Sequence, residues 1–352
     1  MNINLDDPIT YKNLDPSDML GHLHRLPQEC QKAWQSGCGF RLPPDYSKIN
    51  KVIISGMGGS AIGGELARVL LEPSGVPLWT SQEYQPPPFL DSNTLFIASS
   101  YSGMTEETLS AFNTALDTPA KKLVVTTGGK LKALAQEKNI PTFVYDYKAP
   151  PRAALAYGLF SLLGIFQSLG ILGNMTYDVT EMVDVMNRLQ TRINEKVALS
   201  SNPAKELAAK LVGRLAVVYG AGVITPVARR WKTQINENSK AWAFFETLPE
   251  LNHNAVVGYE YPREIVNRAF VILLRSSSLH ERTLLRYQIT TEILTRSGIS
   301  YQVIDAEGDK PLSQMMNLVM LGDYVSYYLA ILYGIDPSPV KVIDYLKAKL
   351  AK

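Results

Sequence analysis

A chain of 352 residues is long enough for two domains of ordinary size, each with its own core, since about 150 residues per domain is usual. Its composition, 46% hydrophobic and 19% charged with 21 prolines, describes a globular protein and excludes a disordered one. The 35 basic residues are offset by 33 acidic ones spread along the chain, a net charge of +2, so no basic stripe advertises a nucleic-acid partner and any bound anion must be held locally.

The N-terminal MNINLDDPITYKNLD is acidic and lacks the apolar core of a signal peptide, which points to a cytoplasmic protein. Cys30 and Cys38 have no Cys-x-x-Cys spacing and no neighbouring histidine cluster; they fit neither a disulfide framework nor a zinc site and suggest a reducing compartment. A helical region over about 15–37 precedes the first strand. From there short apolar runs alternate with helical patterns, the signature of parallel sheets covered by helices. Strands are predicted at 51–56, 95–100, 122–127 and 142–146, then at 215–220, 270–275 and 300–305. Between Arg152 and Asp178 the chain carries no charge over a length that would span a bilayer. Gln167, Asn174, four glycines and the lack of a basic flank beyond Arg152 favour instead a buried core or subunit-interface helix. An amphipathic stretch over 177–199 follows, with the domain boundary near 175–200, and a helix over 338–352 closes the chain.

The two halves repeat one theme. VIISGMG (52–58) and AVVYGAG (216–222) both run from strand into Gly-x-Gly and then helix, and LFIASSYSGMTEET and VILLRSSSLHERT both run strand, serines, helix start. Internal duplication accounts for this.

The first glycine loop raises the question of its ligand. A dinucleotide fingerprint needs Gly-x-Gly-x-x-Gly after a strand and an acidic residue about 20 positions on. Here Gly56, Gly58 and Gly59 come first but Ser60 intrudes, and the acidic candidates Glu72 and Glu83 follow no convincing second strand. A Walker loop fails for want of Gly-Lys-Ser/Thr. A strand-to-helix turn of this kind still lets backbone N–H groups approach an anion. The next loop places Ser100, Ser102 and Thr105 after the adjacent strand, at the carboxyl ends where an open α/β sheet binds ligands. Hydroxyl donors suit a phosphate monoester and require no fixed cation. N-capping by Ser102 or Thr105 ahead of Glu106 and Glu107 is compatible with that role.

The strand followed by GMGGSAIGG, the strand followed by SSYSGMTEET, and the downstream INENSKAWAFFETLPELNHNAVVGYE together resemble the bifunctional phosphoglucose/phosphomannose isomerase family, within the larger group built from sugar isomerase (SIS) domains. The resemblance spans about residues 45–350. It implies an α/β fold of two SIS domains, each a parallel sheet flanked by helices in three α/β/α layers. The N-terminal helical extension would occupy 1–44, the phosphate-binding SIS domain 45–185, and the second SIS domain with the C-terminal helix 186–352. It also implies hexose phosphate substrates, no cofactor and no metal, and a homodimer with shared active sites.

Interconverting an aldose phosphate and a ketose phosphate requires ring opening, then proton transfer between C1 and C2 through an enediol. The needs are an acid/base for the ring oxygen, a carboxylate for the carbon-bound proton, and positive charge near the enediolate. Glu237, beside the negative pole of the helix starting near Pro226, matches the family's catalytic glutamate. His253 is one of four histidines and titrates in a range suited to a ring oxygen; the resemblance assigns it to the neighbouring subunit's site. Arg152 opens the charge-free helix, where a cation needs an anionic partner, and the family match makes that partner the enediolate or nearby sugar oxygens. Lys347 resembles the lysine near the family's C-terminus that assists ring opening, on a helix that also carries Lys341, Lys349 and Lys352. Phosphate binding falls to Ser60, Ser100, Ser102 and Thr105 with the backbone of Gly58 and Gly59. The second half has no serine where Ser60 sits, so one site per subunit follows.

Mannose 6-phosphate turnover needs room for rotation about C2–C3, which the family is thought to gain from a small threonine. Ser338 and Val325 lie near the right region and neither is threonine, so this second activity rests on overall resemblance. A non-catalytic sugar-phosphate sensor is the competing reading. It lacks a DNA-reading module in the short N-terminal segment and leaves Glu237, His253 and Arg152 without a task.

Overall fold

Asp7 accepts a hydrogen bond from the Ile9 N–H at 2.9 Å and Pro8 presets its own φ, so helix α1 (Pro8–Leu14) starts where local chemistry is most favourable. The computed structural model describes residues 3–350. After α1 come α2 (Met19–Gly39), β1 (Lys51–Ser55), α3 (Gly58–Leu71), β2 (Leu78–Ser81), β3 (Thr94–Ser100) and α4 (Glu106–Leu116). Then follow β4 (Lys121–Thr126), α5 (Gly129–Glu137), β5 (Thr142–Val144), α6 (Leu155–Ser168) and α7 (Thr176–Ile193). The rest comprises α8 (Pro203–Leu211), β6 (Leu215–Ala221), α9 (Thr225–Ser239), β7 (Ala243–Leu248), α10 (Arg263–Val266), β8 (Ala269–Arg275), α11 (Glu281–Arg296), β9 (Ser300–Asp305), α12 (Pro311–Leu332) and α13 (Lys341–Leu350). The chain divides into two units, residues 25–183 and residues 3–24 with 184–350. The N-terminal region read as one extension over 1–44 is thus shared between them, the division falling inside α2.

In the unit of residues 25–183 the sheet order is β2-β1-β3-β4-β5, all parallel. Ile53, Phe96 and Val124 face a core shared with Phe112 of α4 and Leu131 of α5. On the other face α3 lies so close that a Cβ on Gly64 would meet Ile54, and α6 crosses α3 where a Cβ on Gly63 would stand 2.4 Å from Gly158 O. Both faces are therefore covered, as a parallel sheet requires, and every residue of β3 is buried.

The other unit repeats the plan with β7-β6-β8-β9, again all parallel. Tyr219, Val271 and Leu273 meet Tyr287 and Leu294 of α11 on one face, while α9 and α12 pack on the other. Lys205, with no exposed surface, donates to Leu5 O at 2.7 Å, Asp6 Oδ1 at 3.0 Å and Glu195 O at 2.9 Å. Its ammonium also lies 5.9 Å and 5.7 Å from the ring centres of Tyr11 and Tyr328. A buried ammonium persists only with such partners, and here they fasten the N-terminal segment to residues 195–205 and α12.

Two strands escaped the sequence reading: β2 and β7, both at sheet edges. The charge-free stretch is not one span; α6 covers 14 residues, buried from Leu155 to Phe166, and ends in a turn at Gly170. Among the described residues the helix long and apolar enough to cross a membrane is α12, and 94% of its apolar window is buried inside the structure. The C-terminal helix begins at Lys341, later than the 338 expected, because Pro339 precedes it.

Candidate active site

Strands β1 and β3 are neighbours, with Ser55 opposite Ala98, so the loops that follow them stand side by side at the carboxyl edge of the sheet. A Cβ on Gly56 would lie 2.7 Å from Ser99 O, and only glycine permits that approach. Gly58, at φ 50°, turns the chain directly into α3, whose N-cap position, Met57, offers no side-chain acceptor. Helix α4 starts likewise: Thr105 occupies its N-cap position with φ −67° and ψ 118° but makes no capping bond. The capping by Ser102 or Thr105 expected from sequence is thus corrected. Ser100 Oγ and Thr105 Oγ1 instead pair with each other at 2.8 Å, Ser100 Oγ accepts from Gly103 N–H at 3.1 Å, and Ser102 Oγ accepts from Met104 N–H at 3.2 Å. Two helix N-termini without side-chain caps, and the Ser60, Ser100, Ser102 and Thr105 hydroxyls, are brought to one sheet edge. This is an arrangement with many donors for an anion.

Arg152 joins them. Its 3-10 turn, Pro151–Ala154, packs on the glycine loop so closely that a Cβ on Gly59 would lie 2.9 Å from Pro151 O and 3.4 Å from Arg152 Cα. The arginine is 2% exposed. Tyr101, from the middle of the serine loop, positions the approach to it: its hydroxyl donates to Tyr147 O at 2.8 Å and accepts from Ala149 N–H at 3.0 Å. Burial raises the Tyr147 phenol above its usual pKa. The loop after β4 braces the serine loop from the other side. A Cβ on Gly103 would overlap Gly128 O, Thr127 Oγ1 donates to Tyr101 O at 2.7 Å, and Leu131 N–H donates to Gly103 O at 2.9 Å. Tyr101 and the Thr126–Gly129 loop were missed in the sequence, although a strand running into Thr-Thr-Gly-Gly repeats the signal that marked the first loop.

Strand β2 ends two residues before Glu83, so the absence of a second strand no longer argues against a dinucleotide. The serine loop does, since its hydroxyls and the α4 N-terminus supply donors that a dinucleotide site does not use.

The remaining candidates lie in the other unit. Glu237 is on the last turn of α9 and, with Asn236, Trp242, Phe244, Val340 and Ile343, lines a cavity of about 790 Å³. Lys240 ends the helix at φ 52°. His253 closes a 3-10 turn, Glu250–His253, just past the end of β7, and is exposed. It is not on the cavity wall. Since α9 ends just before β7 begins and His253 follows just after β7 ends, the six residues of that strand separate them by about 20 Å. Lys347 lies on α13, which has no buried residue. Among the described residues no group of three or more His, Cys, Asp or Glu is placed to hold a metal ion.

The counterpart of the serine loop in this unit, the loop after β8, has its polar groups already engaged. Ser276 Oγ bonds to Gln314 Oε1 and pairs with Ser278 Oγ at 2.6 Å, while Gln314 Nε2 donates to Ser277 Oγ at 2.9 Å and Gly308 O at 2.8 Å.

Residues 200–350 match the bacterial phospho-glucose isomerase C-terminal SIS domain. Over 336 residues, 95% of this chain and 99% of the relative, the sequence is 41% identical to a bifunctional phosphoglucose/phosphomannose isomerase of Caldicellulosiruptor bescii. A protein of the same description from Aquifex aeolicus is 36% identical over 310 residues, 88% of this chain and 92% of its own. A glucose-6-phosphate isomerase like protein from Thermus thermophilus has a similar fold, with a TM-score of 0.66 at 19% identity over 97% of this chain and 99% of that one.

Proposed function

Because this chain belongs to the bifunctional phosphoglucose/phosphomannose isomerase family, we propose that it interconverts glucose 6-phosphate and fructose 6-phosphate, and mannose 6-phosphate and fructose 6-phosphate, by ring opening and enediol proton transfer. The observation that carries the site assignment is the pair of helix N-termini, without side-chain caps, beside the Ser100–Thr105 hydroxyl pair. A phosphate monoester takes its oxygens' hydrogen bonds from these groups and from Ser60, Ser102 and the Gly58–Gly59 backbone. Arg152, next to that loop, supplies positive charge for the enediolate. Glu237 moves the proton between C1 and C2, His253 exchanges a proton with the ring oxygen, and Lys347 assists ring opening.

The active enzyme is a homodimer in this reading, with His253 supplied to the site by the second subunit. The length of β7 between Glu237 and His253 supports it, because one copy's pair cannot act on adjacent atoms of one sugar. A cytoplasmic location fits the same reading, since charged phosphate esters do not cross a bilayer unaided. The test is an assay of the purified protein on fructose 6-phosphate, following glucose 6-phosphate and mannose 6-phosphate separately, beside Glu237→Gln. Both products, lost in the variant, are expected; no turnover despite tight sugar-phosphate binding would sink the isomerase reading.

A further inference from the structure

Lys240 stands in the left-handed region at φ 52°, at the residue that ends α9. Glycine fills such a position at no steric cost, whereas a lysine is strained there. Its backbone N–H donates to Ile235 O, as any residue's would. What lysine adds is its ammonium, which donates to Asn238 O at 3.2 Å, Asp336 O at 3.0 Å and Pro337 O at 2.7 Å. These are charge-assisted bonds, and one of them takes up a carbonyl left without an intrahelical partner by the end of α9, where the helix's negative pole favours a cation.

The two segments joined this way line the same cavity. Glu237 is on the last turn of α9, while Ile335, Asp336 and Pro339 to Ile343 form another part of the wall, to which Lys240 itself also belongs. Beyond that segment α13 has no buried residue, so packing within the unit does not hold it and its placement depends on how the chain feeding it is tied.

The geometry points to Lys240 as a positioning residue for the proton transfer. It ties the end of α9 to residues 336–337, so that the Glu237 carboxylate and the other lining segment keep a set separation, and the strain at φ 52° is retained for that tie. The inference rests on the reading of Glu237 as the carbon base. It goes beyond that reading by assigning a task to a lysine that the reading leaves without one.

Glycine separates the two explanations, because a residue present only to end the helix would be improved by it. The full chain is compared with Lys240→Gly, Lys240→Met and Lys240→Arg. For Lys240→Gly and Lys240→Met, kcat on fructose 6-phosphate is expected to fall about tenfold or more with KM within about twofold, since a misplacement of about 1 Å costs that much or more. The melting temperature of Lys240→Gly should stay within a few degrees of the parent's, relief of the strained backbone partly offsetting the three bonds lost, and Lys240→Arg, which keeps a cationic donor, should recover most of kcat. Hydrogen exchange of the 335–343 amides should quicken in Lys240→Met. Parent kcat in Lys240→Gly overturns the proposal. If Glu237→Gln stays fully active, the base assignment falls by itself. The tie is then judged by exchange alone, and unchanged protection of 335–343 in Lys240→Met overturns it.

Discussion

In the unit of residues 25–183 the loop after β3 bonds its hydroxyls within the loop, Ser100 to Thr105 at 2.8 Å and Ser100 and Ser102 to backbone N–H groups, beside a helix start without a side-chain cap. In the other unit the loop after β8 gives its hydroxyls away: Gln314, from α12, engages Ser276 and Ser277, and His280 Nδ1 caps α11 by accepting from Arg282 N–H at 3.1 Å. The glycine loops differ in the same sense. Helix α3 starts at Gly58 with no proline in its first turn, whereas Pro226 sits in the first turn of α9 after an intervening 3-10 turn, Gly222–Ile224. Two copies of one strand-turn-helix plan therefore have unlike capacities for an anion. What differs is whether a strand-end serine bonds only within its own loop or is engaged by a side chain from another element.

The largest effect should come from the unit with the filled loops, because it carries the proposed proton-transfer groups. Glu237→Gln is expected to lower kcat by about a thousandfold, within the usual range for loss of a general base, with little change in substrate affinity. Mixing Glu237→Gln with His253→Asn through unfolding and refolding should restore about one quarter of parent activity if each site draws on both subunits of a twofold dimer. No recovery would break the shared-site picture. Next in size, Ser100→Ala combined with Thr105→Val should raise KM for fructose 6-phosphate by about 10- to 100-fold, as charge-assisted bonds to phosphate are lost, while leaving kcat nearly intact. Steady-state kinetics at constant ionic strength would show it.

The matching change in the other unit sharpens the contrast. Ser276→Ala should leave KM within about twofold and lower the melting temperature by about 2–4 °C, the cost of leaving Gln314 short of one buried partner. Scanning calorimetry beside kinetics separates the two loops cleanly. The smallest effect concerns the amino edge of the first sheet, where Lys51 opens β1 and Asp91 precedes β3. The hydrogen bond from Lys51 Nζ, 2.7 Å away, holds the Asp91 carboxyl below its usual 3.8, with Thr94 assisting. A carboxyl depressed in the folded state contributes stability above its unfolded pKa and loses that contribution as pH falls through the folded value. Asp91→Asn should therefore lower the melting temperature slightly at neutral pH and converge on the parent as pH falls well below about 4, which flattens the acid limb.

The strands the sequence reading found are those with continuous apolar runs, such as LFIASS and FVILLR, because burial on both faces demands such runs. The two it missed, LWTS and AFFETL, are edge strands with exposed aromatic residues: Trp79 is 61% and Phe244 48% exposed. With one edge open to solvent they need no such run, and nothing local distinguishes them from loop. The same divide runs through the site. The glycine and serine loops were legible because turn chemistry and helix starts are written in adjacent residues. Tyr101 and Lys240 were not, because what they do depends on Tyr147 and Pro337, 46 and 97 residues away.

Lys205 has a consequence for how the chain comes into being. Its ammonium is wrapped by Leu5 and Asp6, which precede it by 200 and 199 residues, and by Glu195. Residues 25–183 are contiguous and can fold as they leave the ribosome, but residues 3–24 belong with a unit whose remaining part begins at 184. At the usual pace of synthesis the earlier segment must wait roughly ten seconds or more for its partner to emerge. Its Leu5 and Tyr11 stay in water meanwhile, so the growing chain carries an unfinished apolar segment that comes to rest only once both Lys205 and the α12 tyrosines have emerged.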